Sequence, residues 1–247
     1  MNEICIISAD TRYDALCDIL ISKGYNARIC TPDIVTECDA LILPIKSALT
    51  DTELSKIFKS VKEGTLVFSG EVEKIKPYFK GQIINYSANE EFIDKNAYIT
   101  AECALLLALS SSKKTIYERE CAIVGYGRIG KHLTRILMAL GANVSVFARR
   151  DQSRAEAIKQ GALAYKISEL TEHTFDFIFN TVPMRVISRE QSNKIPSATI
   201  AYDLASLPGG FEDEDYPIRA LALPGKMMPE SSAEAIYDFL LKYIERK

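Results

Sequence analysis

The run from Cys121 to Gly141 restricts the fold more than any other part of the chain. Cys121-Ala122-Ile123-Val124 is a short apolar segment of the kind that fills a strand buried on both faces. Gly125-Tyr126-Gly127-Arg128-Ile129-Gly130 follows without a break, and Lys131 to Leu140 then reads as a helix that stops at Gly141. Strand, glycine turn and helix in this order open a dinucleotide-binding βαβ unit. Gly125 suits the tight turn, Gly127 the approach of a pyrophosphate to the backbone, and Gly130 the packing of helix on strand. Amides at the helix start, backed by the positive end of its dipole, would then face the phosphates. Tyr126, Arg128 and Ile129 belong to the same turn. The competing reading is an ordinary βα turn that happens to carry glycines.

A second strand, Asn143-Val144-Ser145-Val146-Phe147, ends where an NAD-binding domain commonly places an acid for the ribose hydroxyls. Ala148-Arg149-Arg150 stands there instead. A guanidinium offers paired, charge-assisted donors to a 2′-phosphate and no acceptor to a ribose diol, so Arg149 and Arg150 favour NADP over NAD. An alternative stays open, in which these arginines only solvate the strand end and Asp151 turns toward the ribose. Farther along, Phe175–Phe179 runs into Asn180-Thr181-Val182-Pro183, and Thr199–Tyr202 into Asp203-Leu204-Ala205-Ser206. Both fall where carboxyl ends of parallel strands line the crevice for ribose and nicotinamide. Thr181, Val182, Pro183, Asp203, Ala205 and Ser206 are therefore candidates for cofactor contact. Asn180 and Pro183 can equally be plain strand terminators.

Upstream, β-rich runs alternate with helical ones: Ile4–Ser8, Tyr13–Ser22, Ala27–Cys30, Ala40–Leu43, Glu53–Val61, Leu66–Phe68 and Gln82–Asn85. That rhythm predicts a small parallel α/β domain. Ser8-Ala9-Asp10-Thr11-Arg12 follows its first strand in place of a glycine motif, so this domain is not expected to hold a dinucleotide. Ala101 to Leu109, rich in Ala and Leu, predicts a linking helix that exits at Ser110-Ser111-Ser112. Near the end of the chain, Ile236, Phe239, Leu240, Tyr243 and Ile244 recur at helical spacing and predict a helix that returns an apolar face to the first domain. The expected architecture is α/β with two domains. A flavodoxin-like parallel α/β domain covers residues 1–95, a linking helix 96–115, a Rossmann domain 116–228 and a C-terminal helix 229–247.

A chain of 247 residues is long enough for two modest cores, and 47% hydrophobic with 26% charged residues is the composition of an ordinary globular protein. A net charge of −3 argues against nucleic acid or anionic lipid as a partner, since both need a basic surface. Met1 to Ser8 lacks the pattern of a secretory leader and no apolar stretch is long enough to span a bilayer, so a cytoplasmic protein is expected. The six cysteines show no CxxC pair or other metal-site spacing and are read as reduced and structural, with no metal implied.

Several segments together resemble one family. They are Ala9-Asp10-Thr11-Arg12, Leu41-Ile42-Leu43-Pro44, Phe68-Ser69-Gly70, Thr100-Ala101-Glu102, Gly125–Gly130, Asp203-Leu204-Ala205-Ser206 with Pro208-Gly209-Gly210, and Ala222-Leu223-Pro224-Gly225. Taken with their order, they are similar to the A-subunit family of bacterial dipicolinate synthase. The resemblance implies a sporulation enzyme that oxidises a dihydrodipicolinate-type intermediate to pyridine-2,6-dicarboxylate alongside a flavoprotein B subunit. It also implies a two-domain fold like that of the 2-hydroxyacid dehydrogenases, which often form homo-oligomers through the cofactor domain.

A small dicarboxylate substrate needs cations or directed donors, and Asp10, Arg12, Lys46, Ser47 and Thr100 are the candidates, in a cleft between the two domains. Arg12 is the first choice as carboxylate clamp, because a guanidinium grips a carboxylate at two points; the alternative is a surface arginine in the first helical turn. Asp10 is a candidate for the same site or a helix cap, the commonest use of Asp before an apolar-periodic run. Glu102 is either a base in an apolar setting or a solvent-facing residue. Only His132 and His173 are present, neither in a segment expected to meet nicotinamide, which disfavours a histidine acid/base pair. The expected activity is therefore NAD(P)-dependent oxidation of a dihydrodipicolinate-type compound. Its rivals are an NADP-linked dehydrogenase of another small carboxylate and a non-catalytic nucleotide-binding subunit.

Overall fold

A computed structural model describes residues 3–46, 49–113 and 115–244, which fall into two compact units. The first comprises residues up to Asn96 together with Pro224 onward, and the second runs from Ala97 to Leu223.

In the first unit, strand β1 (Glu3–Ile7) leads into α1 (Thr11–Ser22), β2 (Asn26–Cys30), β3 (Ala40–Ile42), α2 (Asp51–Ser60), β4 (Leu66–Ser69), α3 (Val72–Ile75) and β5 (Ile83–Asn85). Among the described residues these strands form one parallel sheet in the order β2-β1-β3-β4-β5, the flavodoxin-like order. Ile4 to Ile7 are all buried, as the centre of a parallel sheet covered on both faces requires. One face carries Cys5, Ile7, Leu41, Leu43 and Val67 against Leu54 and Ile57 of α2 and Ile75 of α3. Helix α1 packs on the final helix of the chain, α9 (Pro229–Ile244). Phe239 of α9 meets Phe68, Tyr86 and Phe92 at ring separations of 5.2 to 6.2 Å. The C-terminal helix is thus part of the first unit's core. Helix α4 (Glu90–Ser111) passes from the first unit into the second. It starts before the linking helix read at residue 96, because the Asn89 side chain accepts a hydrogen bond from the Phe92 amide and initiates two polar turns that an apolar pattern does not reveal.

The second unit contains β6 (Glu120–Val124), α5 (Arg128–Ala139), β7 (Asn143–Phe147), α6 (Asp151–Lys159), β8 (Leu163–Tyr165), β9 (Phe177–Asn180), α7 (Arg189–Lys194), β10 (Ile200–Asp203) and β11 (Ile218–Arg219), and ends at the start of α8 (Leu223–Met227). Its parallel sheet has the order β11-β10-β9-β6-β7-β8, the doubly wound Rossmann order. The reversal of strand order lies between β6 and β9, where Val124 is in register with Asn180. Ligands of such sheets lie beyond the carboxyl ends of the strands at that point. No helix among the described residues is long and apolar enough to cross a membrane.

Candidate functional site

The glycine turn sits at the end of β6. Gly125 has φ +96°, and its amide donates to the Phe147 carbonyl at 2.8 Å. A Cβ there would come within 2.5 Å of Thr181 Oγ1 and 2.6 Å of Val182 Cγ2. Both the backbone conformation and the close neighbours demand glycine. At Gly130 a Cβ would lie 2.4 Å from the Gly125 carbonyl oxygen, so helix α5 can approach the turn only without a side chain. Gly127 is different: a Cβ there would meet nothing within 4 Å. Gly127 is the N-cap of α5 and supplies no side chain to the helix amides. A tight turn, a closely packed helix start and open space above Gly127 fit the pyrophosphate of a dinucleotide. Tyr126 serves the turn from behind. It is buried, and its hydroxyl donates to Gln160 Oε1 at 2.9 Å, which leaves its backbone and not its ring for a ligand. Arg128 is exposed and Ile129 half-buried in the first turn of α5.

Arg149 and Arg150 are both exposed just past β7. Their turn is held by Arg154, which donates to the carbonyls of Ala148 at 2.7 Å and Arg149 at 2.9 Å. Arg154 also pairs with Asp151, so this carboxylate near the strand end is engaged within its own helix. Arg149 lines an open groove of about 590 Å³ with Lys166, Ile167, Val186 and Lys194. Lys166 and Lys194 lie in separate segments that only the fold brings together, so no pattern in the sequence marks them. Arg154 is legible as an i+3 partner of Asp151 in the first turn of α6.

At the ends of β9 and β10 the buried Asn180 and Asp203 form a closed network. Asn180 Nδ2 donates to Asp203 Oδ1 at 2.7 Å and to the Val182 carbonyl at 3.0 Å, while Asn180 Oδ1 accepts from the Val182 amide at 3.1 Å. Asp203 Oδ1 also accepts from the Ala205 amide at 3.2 Å, and its Oδ2 from the Gly210 amide at 2.9 Å. Asp203, 1% exposed, therefore spends its carboxylate on the protein. The reading of Asp203 as a direct cofactor contact is corrected to that of a residue that shapes the loops carrying Val182 and Ala205. Gly209 and Gly210 exist for the same reason, as a Cβ would lie 2.3 Å from Asp203 Oδ2 or 2.2 Å from Asn180 Nδ2. Thr181 donates from its hydroxyl to the Val124 carbonyl at 3.0 Å, which ties the loop to the strand before the glycine turn. Pro183 and Ser206 are exposed, and Ala205 is buried.

In the first unit, Asp10 caps α1 by accepting from the Arg12 amide at 3.2 Å. The same oxygen accepts from Arg12 Nε at 2.8 Å. Arg12 is only 8% exposed, so it is not a surface arginine. Gly225 closes over this pair, where a Cβ would stand 2.5 Å from both Arg12 Nη2 and Asp10 Oδ2, and its carbonyl accepts from the Thr11 hydroxyl at 2.9 Å. Tyr13 accepts from the Ile45 amide at 2.8 Å and so fixes the backbone before Lys46. Burial pushes the Tyr13 phenol up to about 12, which keeps it neutral. Gly70 packs on the Ile45 carbonyl oxygen, where a Cβ would stand at 2.0 Å. The loops after β1, β3 and β4 thus form one joined surface. Ser47 lies outside the described residues.

Glu102 is half-buried and accepts a hydrogen bond from Tyr98 one turn away, beside the buried Ala101 and Cys103. Glu102 is thus neither enclosed nor fully solvent-facing, and its position leaves both readings open. Thr100 is buried. His132 meets the Tyr98 ring edge-on at 5.4 Å and hydrogen-bonds to Arg135, and His173 stacks at 4.3 Å on Tyr165. Both imidazoles are thus engaged by aromatic rings, and His132 also by the Arg135 guanidinium.

Residues 93–198 match the D-isomer specific 2-hydroxyacid dehydrogenase, NAD binding domain family. The A subunit of dipicolinate synthase from Bacillus subtilis (strain 168) is 28% identical over 232 residues, covering 84% of this chain and 78% of that protein. The crystal structure of the Bacillus subtilis protein aligns with a TM-score of 0.79 at 24% identity, covering 99% of this chain and 96% of that one. The crystal structure of its Bacillus halodurans counterpart aligns with a TM-score of 0.80 at 24% identity, covering 98% and 97%. The chain is thus similar to the dipicolinate synthase A subunits in sequence and fold, and its residues 93–198 are similar to the NAD-binding domain of 2-hydroxyacid dehydrogenases, an oxidoreductase-type domain.

Proposed function

We propose that the protein is an NADP-linked oxidoreductase of the dipicolinate synthase A type, converting a dihydrodipicolinate-type compound to dipicolinate with a flavoprotein partner subunit. The observation that carries the cofactor half is the glycine cradle of Gly125, Gly127 and Gly130 followed by exposed Arg149 and Arg150, with Asp151 bound to Arg154. Arg149 and Lys166 on one groove add positive charge suited to a 2′-phosphate, while Lys194 on the same groove is paired with Glu190 at 2.7 Å. A bound nicotinamide supplies the hydride acceptor. The protein's own residues bind and orient: the α5 start holds phosphates, Thr181 and Val182 border the turn, and the Asp203 network fixes their loop.

The substrate half rests on the relationship to dipicolinate synthase and on Arg12, whose guanidinium is held edge-on by Asp10 under Gly225. A preoriented guanidinium gives two-point recognition of a carboxylate. Aromatising a dihydropyridine needs no alcohol-to-carbonyl acid/base pair, which accords with the placement of both histidines.

Arg12→Ala is expected to raise the substrate KM about ten-fold or more, in keeping with loss of a charged hydrogen-bond partner worth about 1.5–3 kcal/mol. NADPH affinity should stay at the wild-type value. Arg12→Lys, which keeps the charge and Asp10 a partner, should fall between. The assay is dipicolinate formation from the dihydro compound with NADP, with and without a flavoprotein partner. NADP binding without any product in either condition would reject the reaction and leave the cofactor assignment standing.

A further inference from the structure

Arg12, in the first turn of α1, has more than nine-tenths of its side chain buried. Among the described residues the one acceptor of that side chain is the Asp10 carboxylate, at Nε, and neither Nη1 nor Nη2 has another. A guanidinium buried to this degree ordinarily directs its N–H groups to acceptors, because stripping them of water without replacement is unfavourable. The two remaining nitrogens therefore mark a place for an acceptor that the chain does not supply, and paired donors match a carboxylate. Their direction is set by three neighbours. Asp10 fixes the Nε edge, the Tyr13 ring centre lies 6.0 Å from the guanidinium carbon, and Gly225 of α8 stands against both Arg12 and Asp10. All four residues belong to the first unit.

We propose that Gly225 is a positioning residue for the substrate, the bare backbone against which the Arg12 guanidinium takes the orientation that offers Nη1 and Nη2 to a carboxylate. This rests on the reading of Arg12 as the carboxylate clamp. A Cβ at residue 225 would stand 2.5 Å from Arg12 Nη2, 2.5 Å from Asp10 Oδ2 and 2.6 Å from Arg12 Nε, so its three nearest neighbours all belong to the ion pair. Gly70 and Gly130 contrast with it, because there the nearest atom is a backbone carbonyl oxygen and the glycine serves the fold. Nor does the backbone call for glycine at residue 225. Its φ lies outside the left-handed region, and inside a helix alanine is the better residue. A residue that breaks a local preference in this way is explained by the site it borders, here the space over the guanidinium.

The backbone that forms this wall is anchored on both sides. Thr11 donates from its hydroxyl to the Gly225 carbonyl at 2.9 Å. The Met228 carbonyl, just past α8, accepts from the Ser232 amide at 3.1 Å and from the Ser232 hydroxyl at 2.8 Å. Ser232 belongs to α9, which packs on α1. With α8 tied to the elements that carry Arg12, a methyl group at residue 225 displaces the flexible guanidinium and not the backbone. The Nε bond to Asp10 and the aim of Nη1 and Nη2 are then lost together.

The test measures dipicolinate binding by calorimetry, with NADP present, to the full-length wild type, Arg12→Ala, Gly225→Ala and the double variant. Gly225→Ala is expected to weaken binding about ten-fold or more, as Arg12→Ala does, while its NADPH affinity stays at the wild-type value. The double variant should bind no more weakly than Arg12→Ala alone, because no guanidinium is left to displace. If Gly225→Ala does not fold, the comparison is made with Thr11→Val, which releases the Gly225 carbonyl without adding bulk and should weaken binding by about three-fold or more, again only where Arg12 is present. Wild-type affinity in Gly225→Ala, or in Thr11→Val where that variant stands in, beside weakened binding in Arg12→Ala overturns this proposal and leaves the clamp standing. Binding that Arg12→Ala does not change overturns both. A double variant that binds well below Arg12→Ala also overturns the proposal, since the glycine would then act on something other than the guanidinium.

Discussion

Replacing Asp203 with alanine is expected to destabilise the protein by about 3–5 kcal/mol, because three buried donors lose their acceptor at once and each orphaned group costs about 1–3 kcal/mol, not fully additively. Those donors are Asn180 Nδ2, the Ala205 amide and the Gly210 amide. In a domain of this size a loss of that order lowers Tm by about 10 °C or more. The carboxylate cannot be replaced by water cheaply, because Asn180 is 0% and Asp203 1% exposed. Asp203→Asn should be intermediate: it keeps one acceptor for Asn180 and Ala205 but turns an amide group toward the Gly210 N–H. Calorimetric melting of the three proteins checks this. An Asp203→Ala variant as stable as the parent would mean the network is not formed, and with it would go the account of why Gly209 and Gly210 are glycines.

The second large effect concerns the glycine turn, where two neighbouring glycines should respond differently. Gly125→Ala forces a methyl against Thr181 Oγ1 and Val182 Cγ2 at a residue with φ +96°. It should lower stability by about 2 kcal/mol or more, since strain of this kind costs about 1–3 kcal/mol before any clash is counted, and should abolish measurable dinucleotide binding. Gly127→Ala meets no neighbour within 4 Å. Its melting temperature should match the wild type, while NADPH affinity falls about 100-fold or more, or about 2.7 kcal/mol, because the methyl occupies space suited to the pyrophosphate. Thermal melts and isothermal titration separate the two. Unchanged affinity in Gly127→Ala would mean that the phosphates do not pass over this residue.

Much of this is legible in the amino-acid sequence, because the strongest signals are local. A buried strand, a glycine turn and a helix within Cys121–Gly141 specify their own geometry, and the alternation before residue 95 specifies a parallel sheet. Side-chain assignments that depend on distant segments are less legible. Asp203 lies at a strand end facing the crevice, just where a ligand contact is expected. Only its pairing with Asn180, 23 residues away, and Gly210 shows the carboxylate turned inward. Glu102 sits in an apolar run, but helical rotation brings it to the partly exposed side with Tyr98. Arg12 and Gly225 are more than two hundred residues apart, and nothing local foretells that the glycine covers the guanidinium.

The most direct test of the account is a calorimetric comparison of NADPH and NADH binding to the wild-type protein and to the Arg149→Ala/Arg150→Ala double variant. Both arginines are exposed at the end of β7, so their removal should leave the fold intact. The account predicts that the wild type binds NADPH at least about ten-fold more tightly than NADH, and that the double variant loses about 1.5–3 kcal/mol of NADPH affinity while NADH affinity changes little. Wild-type protein that binds NADH as tightly as NADPH, or more tightly, would contradict it.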